Sequence, residues 1–217
     1  MTRAPLYVLG AGGHGKVIAE SARREGVHEL RGFLDDDPGR RESRPLGLRV
    51  HGGLEAIRGL EPGAWLALGV GSNAARWAAC ARAAALGIPL ATVVDPSALV
   101  ASGVVLGAGS YLAPRAVVHV DARLGAACIV NTGAVVEHDC LLEDAVHVSP
   151  GAVLGGEVRL GRGAHVGLGA VVLPGLEVGG WSVVGGGSVV TRSLPANVMA
   201  WGAPARVVRA APGGPEA

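Results

Sequence analysis

The chain has 217 residues, a formal charge of +1, 36 glycines and only seven Phe, Trp and Tyr residues. That balance gives no electrostatic reason to expect nucleic acid or an anionic membrane surface as a partner, and so few rings leave a helical or sandwich core without its usual filling. No apolar run approaches the roughly 20 residues of a membrane helix, so a cytoplasmic protein is expected, long enough for two small domains.

In chain order, an apolar run from Leu6 to Leu9 leads into a glycine turn, Gly10-Ala11-Gly12-Gly13-His14-Gly15. A helical pattern follows from about His14 to Glu25, then a second apolar run through Phe33-Leu34 that ends in Asp35-Asp36-Asp37. This is a βαβ unit. The turn fits G-x-G-x-x-G with carboxylates about 20 residues on, a pattern that seats phosphates against turn amides and a helix N-terminus. By itself the pattern most often means NAD. A P-loop is a poorer fit: Gly10 to Lys16 reads GxxxxGK, but Val17 has no hydroxyl for a magnesium nucleotide. A further strand, Trp65 to Val70, precedes Gly71-Ser72-Asn73 and a helix carrying Arg76, and a last strand is expected near Ile88 to Val93. Residues 1–93 thus read as an α/β Rossmann-like domain.

From Val94 to Val190, every sixth residue is Leu or Val, without an insertion. A second register four residues later is mostly small: Ala98, Ser110, Ala116, Ala122, Cys128, Ala134, Cys140 and Ala152. The two registers lie two residues apart across each repeat, the strand period, so each repeat is one short inward-facing strand plus a corner. Three repeats close an 18-residue coil, and coils stack at about 4.8 Å into a prism. An amphipathic helix needs a period near 3.6, which six does not fit. Glycines 107, 125, 161, 167, 179 and 185 directly follow the aliphatic position, where a corner is expected to need unusual backbone angles. Cys80, Cys128 and Cys140 form no CxxC pair or metal-like cluster and read as small buried thiols.

Histidine is the side chain best suited to take and give protons near neutral pH. The prism carries His119, His138, His147 and His165. The register places Glu137, His138 and Asp139 on a corner, where either carboxylate could orient the imidazole. It places His147 outward in the middle of a face, with His165 stacked on it one coil later. Leu168 and Gly186 share one corner column bordering that face. The corner of His138 lies opposite the face of His147, so the two cannot meet within one chain.

The repeat resembles the hexapeptide-repeat acyltransferases, which form left-handed parallel β-helices. The likeness covers residues 94 to about 208, including the closing Gly202-Ala203-Pro204-Ala205-Arg206. With a glycine-turn domain ahead of it, the chain resembles the nucleotide-sugar N-acetyltransferases of bacillosamine and perosamine pathways and the related sialic acid O-acetyltransferases. The resemblance implies that the first domain holds a nucleotide sugar rather than NAD, through Gly12, Gly13, His14, Asp35, Asp36 and Gly71. It makes His138 the catalytic base, through the similar segment Val130-Asn131-Thr132-Gly133-Ala134-Val135-Val136-Glu137-His138-Asp139-Cys140, and favours Asp139 as its partner. It assigns His147, Leu168 and Gly186 to acetyl-CoA and implies a homotrimer with sites between subunits. No metal is expected, because carbonic anhydrases on this prism use three histidines in a different pattern from the spacings of 19, 9 and 18 found here. His165 matches no functional position of the family, so a surface ladder and a pantetheine wall are both open for it, and His119 reads as a surface residue. The sequence divides into 1–93, 94–208 and a flexible tail, 209–217. A sugar O-acetyltransferase, or a scaffold that binds a nucleotide sugar without catalysis, are the competing readings.

Overall fold

The computed structural model describes residues 3–214. Strands β1 (Pro5–Leu9), β2 (Glu29–Leu34) and β3 (Trp65–Leu68) form a parallel sheet in the order β2-β1-β3, with helix α1 (Gly13–Glu25) as the crossover from β1 to β2 and helix α2 (Asn73–Ala85) following β3. Single bridges extend the sheet at Phe33 to Val50 and Leu66 to Leu90. The strand expected over Ile88 to Val93 is reduced to that bridge. Pro89 has no N–H to give, so only its carbonyl and the Ala91 N–H pair with Leu66.

Seventeen two-residue strands, β4 (Val93–Val94) to β20 (Val189–Val190), wind as a parallel solenoid with three faces. Each strand pairs with the one three repeats on, as Ile129-Val130 pairs with His147-Val148. The aliphatic and small registers both point inward: Leu112, Val118, Val130 and Val136 pack with Ala116, Ala122, Cys128 and Ala134 in one continuous core, all 0% exposed. Alternating branched and small side chains fill a narrow triangle that a ring would not enter, and each aliphatic contributes about 1.5–3 kcal/mol by leaving water.

The corners correct one expectation. Left-handed φ falls three residues after the aliphatic, at Gly103, Arg115, Asp121, Ala127, Asp139 and their equivalents, and not at the glycines directly after it. Gly107, Gly161, Gly167 and Gly179 serve close approach instead, because a Cβ there would strike the backbone of the next coil. The solenoid ends in a hairpin, β21 (Val198–Gly202) and β22 (Ala205–Ala210), turning at a cis Ala203–Pro204 bond. Strand β22 runs to Ala210 and the Ala211 N–H donates to Asn197 O at 2.8 Å, so residues 209–211 belong to the fold rather than to a tail. Residues 215–217 of that expected tail lie outside the described residues.

The three faces differ outside. On the first, Val93, Tyr111 and Ile129 pack with Leu6, Val8 and Ile18, so the α/β domain sits over its early coils. The second presents an unbroken aliphatic column, Leu99, Val117, Val135, Val153, Val171 and Val189. The third is mixed and charged: Val105, Arg123, Leu141, Arg159 and Glu177. The junction between domains is polar and specific. Arg24 pairs with the buried Asp95 at 2.9 Å, and Ser21 links Asp95 to Tyr111 Oη. Arg76, 0% exposed, donates from Nε to Ala127 O and from Nη2 to Ala145 O, two carbonyls one coil apart on the same corner column.

Candidate active site

On the corner after Val136, His138 and Asp139 are exposed, and their side chains meet with Nδ1 and Oδ2 2.8 Å apart. A carboxylate only accepts, so Nδ1 carries the proton and Nε2 keeps its lone pair for chemistry. The hydrogen bond to Asp139, aided by Glu137 and Glu157, raises the imidazole pKa above its ordinary value. The choice left open by sequence is settled geometrically: Glu137 turns instead toward His119, 3.7 Å from its Nε2. Above His138, Gly156 supplies room that only glycine can, since a Cβ there would lie 2.5 Å from His138 Nε2. Gly156 was missed in the sequence, although one 18-residue step from His138 reaches it.

The first face carries His147 outward, but the α/β domain buries it to 9% exposure. Its ring stacks on His165 with centroids 4.7 Å apart and planes within 2°. Asn131 fixes its proton. Asn131 Oδ1 accepts from the Thr132 N–H at 2.8 Å, so Nδ2 donates to His147 Nε2 at 3.1 Å, and the neutral ring holds its hydrogen on Nδ1, which has no partner among the described residues. Burial, with His165, Arg76 and His14 nearby, pushes the His147 pKa down to about 2, so it stays neutral. His147 and His165 line a groove of about 380 Å³ with Ser149, Pro150, Leu168 and Gly186. The structure thus brings together His147, Leu168 and Gly186, and places His138 on the edge between the second and third faces, opposite the first.

The glycine turn separates into two jobs. Gly10 has φ +101° and backs onto Gly69 O, and Gly15 is pressed against Gly10 O, so both are needed for packing. Gly12 and Gly13 have nothing within 4 Å of where a Cβ would lie, which leaves the α1 N-terminus open to a ligand. That helix starts without a side-chain cap or an acidic residue in its first turn, leaving its amides to attract an anion. Gly12 and Gly13 line a pocket of about 280 Å³ with Lys16, Arg40, Ser43 and Arg44. The two arginines come from a loop that the sequence pattern did not single out.

Asp35 and Asp36 line a second pocket of about 280 Å³ with Leu9, Val70, Ala79 and Arg82. Asp35 Oδ2 accepts from the Ala11 N–H at 2.8 Å and so braces the glycine turn. Asp36 pairs with Arg82 at 2.6 Å, which lowers its pKa. Gly71 lies at the surface, its carbonyl held by Arg76 Nη1. His14 is not brought to either pocket. It faces the prism, 6.3 Å from the His147 ring and 6.0 Å from Tyr111, and burial pushes its pKa down to about 4.

Cys80, Cys128 and Cys140 are free and buried, and burial pushes Cys128 up to about 12 and Cys140 to about 11, so neither is a nucleophile near neutral pH. Among the described residues, no group of three His, Cys, Asp or Glu side chains gathers as a metal would require, and no helix is long and apolar enough to cross a membrane.

Residues 5–83 match the family model described as the PglD N-terminal domain. Among solved structures, the acetyltransferase domain of PglB from Neisseria gonorrhoeae FA1090 in complex with acetyl coenzyme A is 38% identical, with a TM-score of 0.89 over 96% of this chain and 100% of that one. PerB from Caulobacter crescentus in complex with CoA and GDP-perosamine is 37% identical, with a TM-score of 0.89 over 94% of this chain and 97% of that one. WeeI from Acinetobacter baumannii AYE is 27% identical, with a TM-score of 0.88 over 94% and 100%. No curated protein sequence matches the chain significantly. The likeness makes the solenoid a left-handed β-helix. With such identity across nearly the whole of both chains, this protein belongs to the hexapeptide-repeat nucleotide-sugar acetyltransferase family and is an acetyl-CoA-dependent acyltransferase.

Proposed function

We propose that the protein transfers an acetyl group from acetyl-CoA to the 4-amino group of a nucleotide-linked amino-deoxy sugar, with His138 as general base and Asp139 as its partner. The observation that carries this reading is the His138–Asp139 hydrogen bond, which leaves Nε2 free on an exposed corner. The relative PerB, solved with CoA and GDP-perosamine, supports the substrate class.

The acyl donor fits the groove at His147. Its walls are largely apolar and carry no charged side chain, which suits a slender pantetheine arm, while Leu168, 64% exposed, offers an apolar contact at the mouth. His147, Leu168 and Gly186 hold acetyl-CoA in this reading, and the donor supplies an activated thioester. Gly12, Gly13, His14, Asp35, Asp36 and Gly71 hold the nucleotide sugar. The diphosphate sits at the α1 N-terminus with Lys16, Arg40 and Arg44 as its cations, the nucleoside beside Asp35 and Asp36, and the sugar end extends past His14 toward the prism. In the reaction, His138 Nε2 takes a proton from the amine as the amine nitrogen bonds the acetyl carbon. The carbon–sulfur bond breaks, and the departing thiolate takes the proton back from His138. Donors at His147 or the nearby Gly186 backbone stabilise the oxyanion.

His138 and the groove occupy opposite parts of one prism, so the site needs His138 from one subunit and the groove from another. The aliphatic column of the second face supports a cyclic trimer. It is an outward, partly exposed apolar strip whose two edges carry the groove and His138. The test is to incubate the protein and acetyl-CoA with UDP-, GDP-, CMP- and dTDP-linked 4-amino sugars and follow the mass gain of one acetyl group. A folded His138→Ala variant is expected to lose about 10²–10⁴-fold in rate. Turnover of a free sialic acid and of no amino sugar would move the reading to O-acetylation. Binding of nucleotide sugar without turnover of any acceptor would leave a scaffold.

A further inference from the structure

We propose that the Ser149–His165 pair hydrogen-bonds the pantetheine amide next to the thioester of the acyl donor, one coil beyond His147. The proposal rests on acetyl-CoA lying in the groove, as argued above, and assigns a role to two residues that the reading there leaves idle.

His165 Nε2 lies 2.8 Å from Ser149 Oγ. The arrangement repeats the one below it, where Asn131 anchors His147 Nε2, because Asn131 and Ser149 occupy the same register one coil apart. The two rings are therefore parallel as well as stacked. Whichever group of the upper pair donates, one hydrogen is left over. If the Ser149 hydroxyl points to Nε2, the neutral ring has its proton on Nδ1; if Nε2–H points to Ser149, the hydroxyl hydrogen is free. Neither side chain has another hydrogen-bond partner among the described residues, and Ser149 is 4% exposed, so a spare donor faces a groove walled by Pro150, Leu168 and Val184. Burial and Arg76 hold the His165 pKa below its ordinary value, so the pair is a neutral donor. The groove has no cation, which excludes a phosphate as the acceptor and favours a carbonyl.

Spacing selects which carbonyl. The groove runs up the prism from His147 through His165 to Val183 and Gly186. In pantetheine, the first amide is separated from the thioester sulfur by two methylenes, about the rise of one coil, near 4.8 Å. A thioester at His147 thus brings that amide to His165.

The test uses His165→Val, which extends the column already continued by Val183, and Ser149→Ala, for which Ala113 is the precedent in the same register. Binding of CoA is measured by calorimetry, and kcat/KM is measured with acetyl-CoA, with S-acetyl-N-acetylcysteamine, which keeps the first amide, and with ethyl thioacetate, which lacks it. Each variant is expected to weaken CoA binding and kcat/KM for both amide-bearing donors about tenfold, and to lose far less with ethyl thioacetate. Equal losses with ethyl thioacetate, or unchanged CoA binding in both folded variants, would overturn the proposal. Wild-type protein that acetylates sugar from acetyl-CoA but shows no preference for amide-bearing donors overturns it while sparing the acyl-donor reading. Failure of the wild type to bind CoA overturns both.

Discussion

His138 donates from Nδ1 to Oδ2 of the residue that follows it, Asp139, over 2.8 Å, and the left-handed φ of 57° at Asp139 is what lets adjacent side chains meet on one corner. In an extended strand, neighbours point to opposite sides and this pair would not form. Because the carboxylate raises the His138 pKa, it makes Nε2 a stronger base but one that is protonated at a higher pH. Activity should be lost as pH falls through that pKa. Asp139→Asn should lower the maximal rate about tenfold and move the acidic limb of the kcat/KM profile to lower pH, measured from pH 5 to 9. An unmoved limb would mean that the pair does not set the essential ionisation.

Gly156 limits where the His138 ring can lie. Gly156→Ala keeps an ordinary backbone conformation yet places a methyl group against Nε2. Thermal stability should change by less than about 1 kcal/mol, because the exposed ring can swing outward, while kcat falls about 10²-fold from the misplaced base. Parallel melting curves and turnover assays separate the two effects.

Arg76 is a buried charge without a carboxylate partner among the described residues. Its pKa is pushed down to about 10 by burial, so it remains charged near neutral pH, satisfied by the carbonyls of Val70, Gly71, Ala127 and Ala145 and by Asn73 Oδ1. Arg76→Met strands those acceptors and should cost about 3 kcal/mol, or roughly 6–12 °C in Tm. It also releases the Val70–Gly71 turn, so the KM for nucleotide sugar should rise more than that for acetyl-CoA.

Arg40 and Arg44 reach the pocket at Gly12 and Gly13 from a loop beyond β2. Arg40→Gln should raise the KM for nucleotide sugar about tenfold and weaken its dependence on salt, with no change for acetyl-CoA. Steady-state titration of each substrate at two ionic strengths checks this.

How much of this was legible in the sequence varied with the physics involved. The period of six and its small second register reveal the prism directly, because inward positions repeat without interruption. The same register places His138 on a corner and aligns His147 with His165. It did not reveal what the glycines after each aliphatic do, since close approach between coils and left-handed φ both select glycine, and only the folded backbone tells them apart. The roles of Arg76 and Arg40 were equally hidden: Arg76 is held mainly by backbone carbonyls and Arg40 is placed by a loop, which leave no side-chain pattern. His14 sits where the domains meet, and its closeness to His147 depends on docking that no local motif encodes. The aliphatic column of the second face was readable one residue before the inward register, but it looks like core until the corners are placed.

A shared site requires that His138 of one subunit serve the His147 groove of another. Coexpressing two differently tagged inactive variants, His138→Ala and His147→Asn, and assaying the purified mixed oligomers tests it most directly. A mixed cyclic trimer holds two subunits of one variant and one of the other, so both intact residues meet across one of its three interfaces and roughly a third of wild-type activity should return. Mixed oligomers no more active than either variant alone would contradict a shared site.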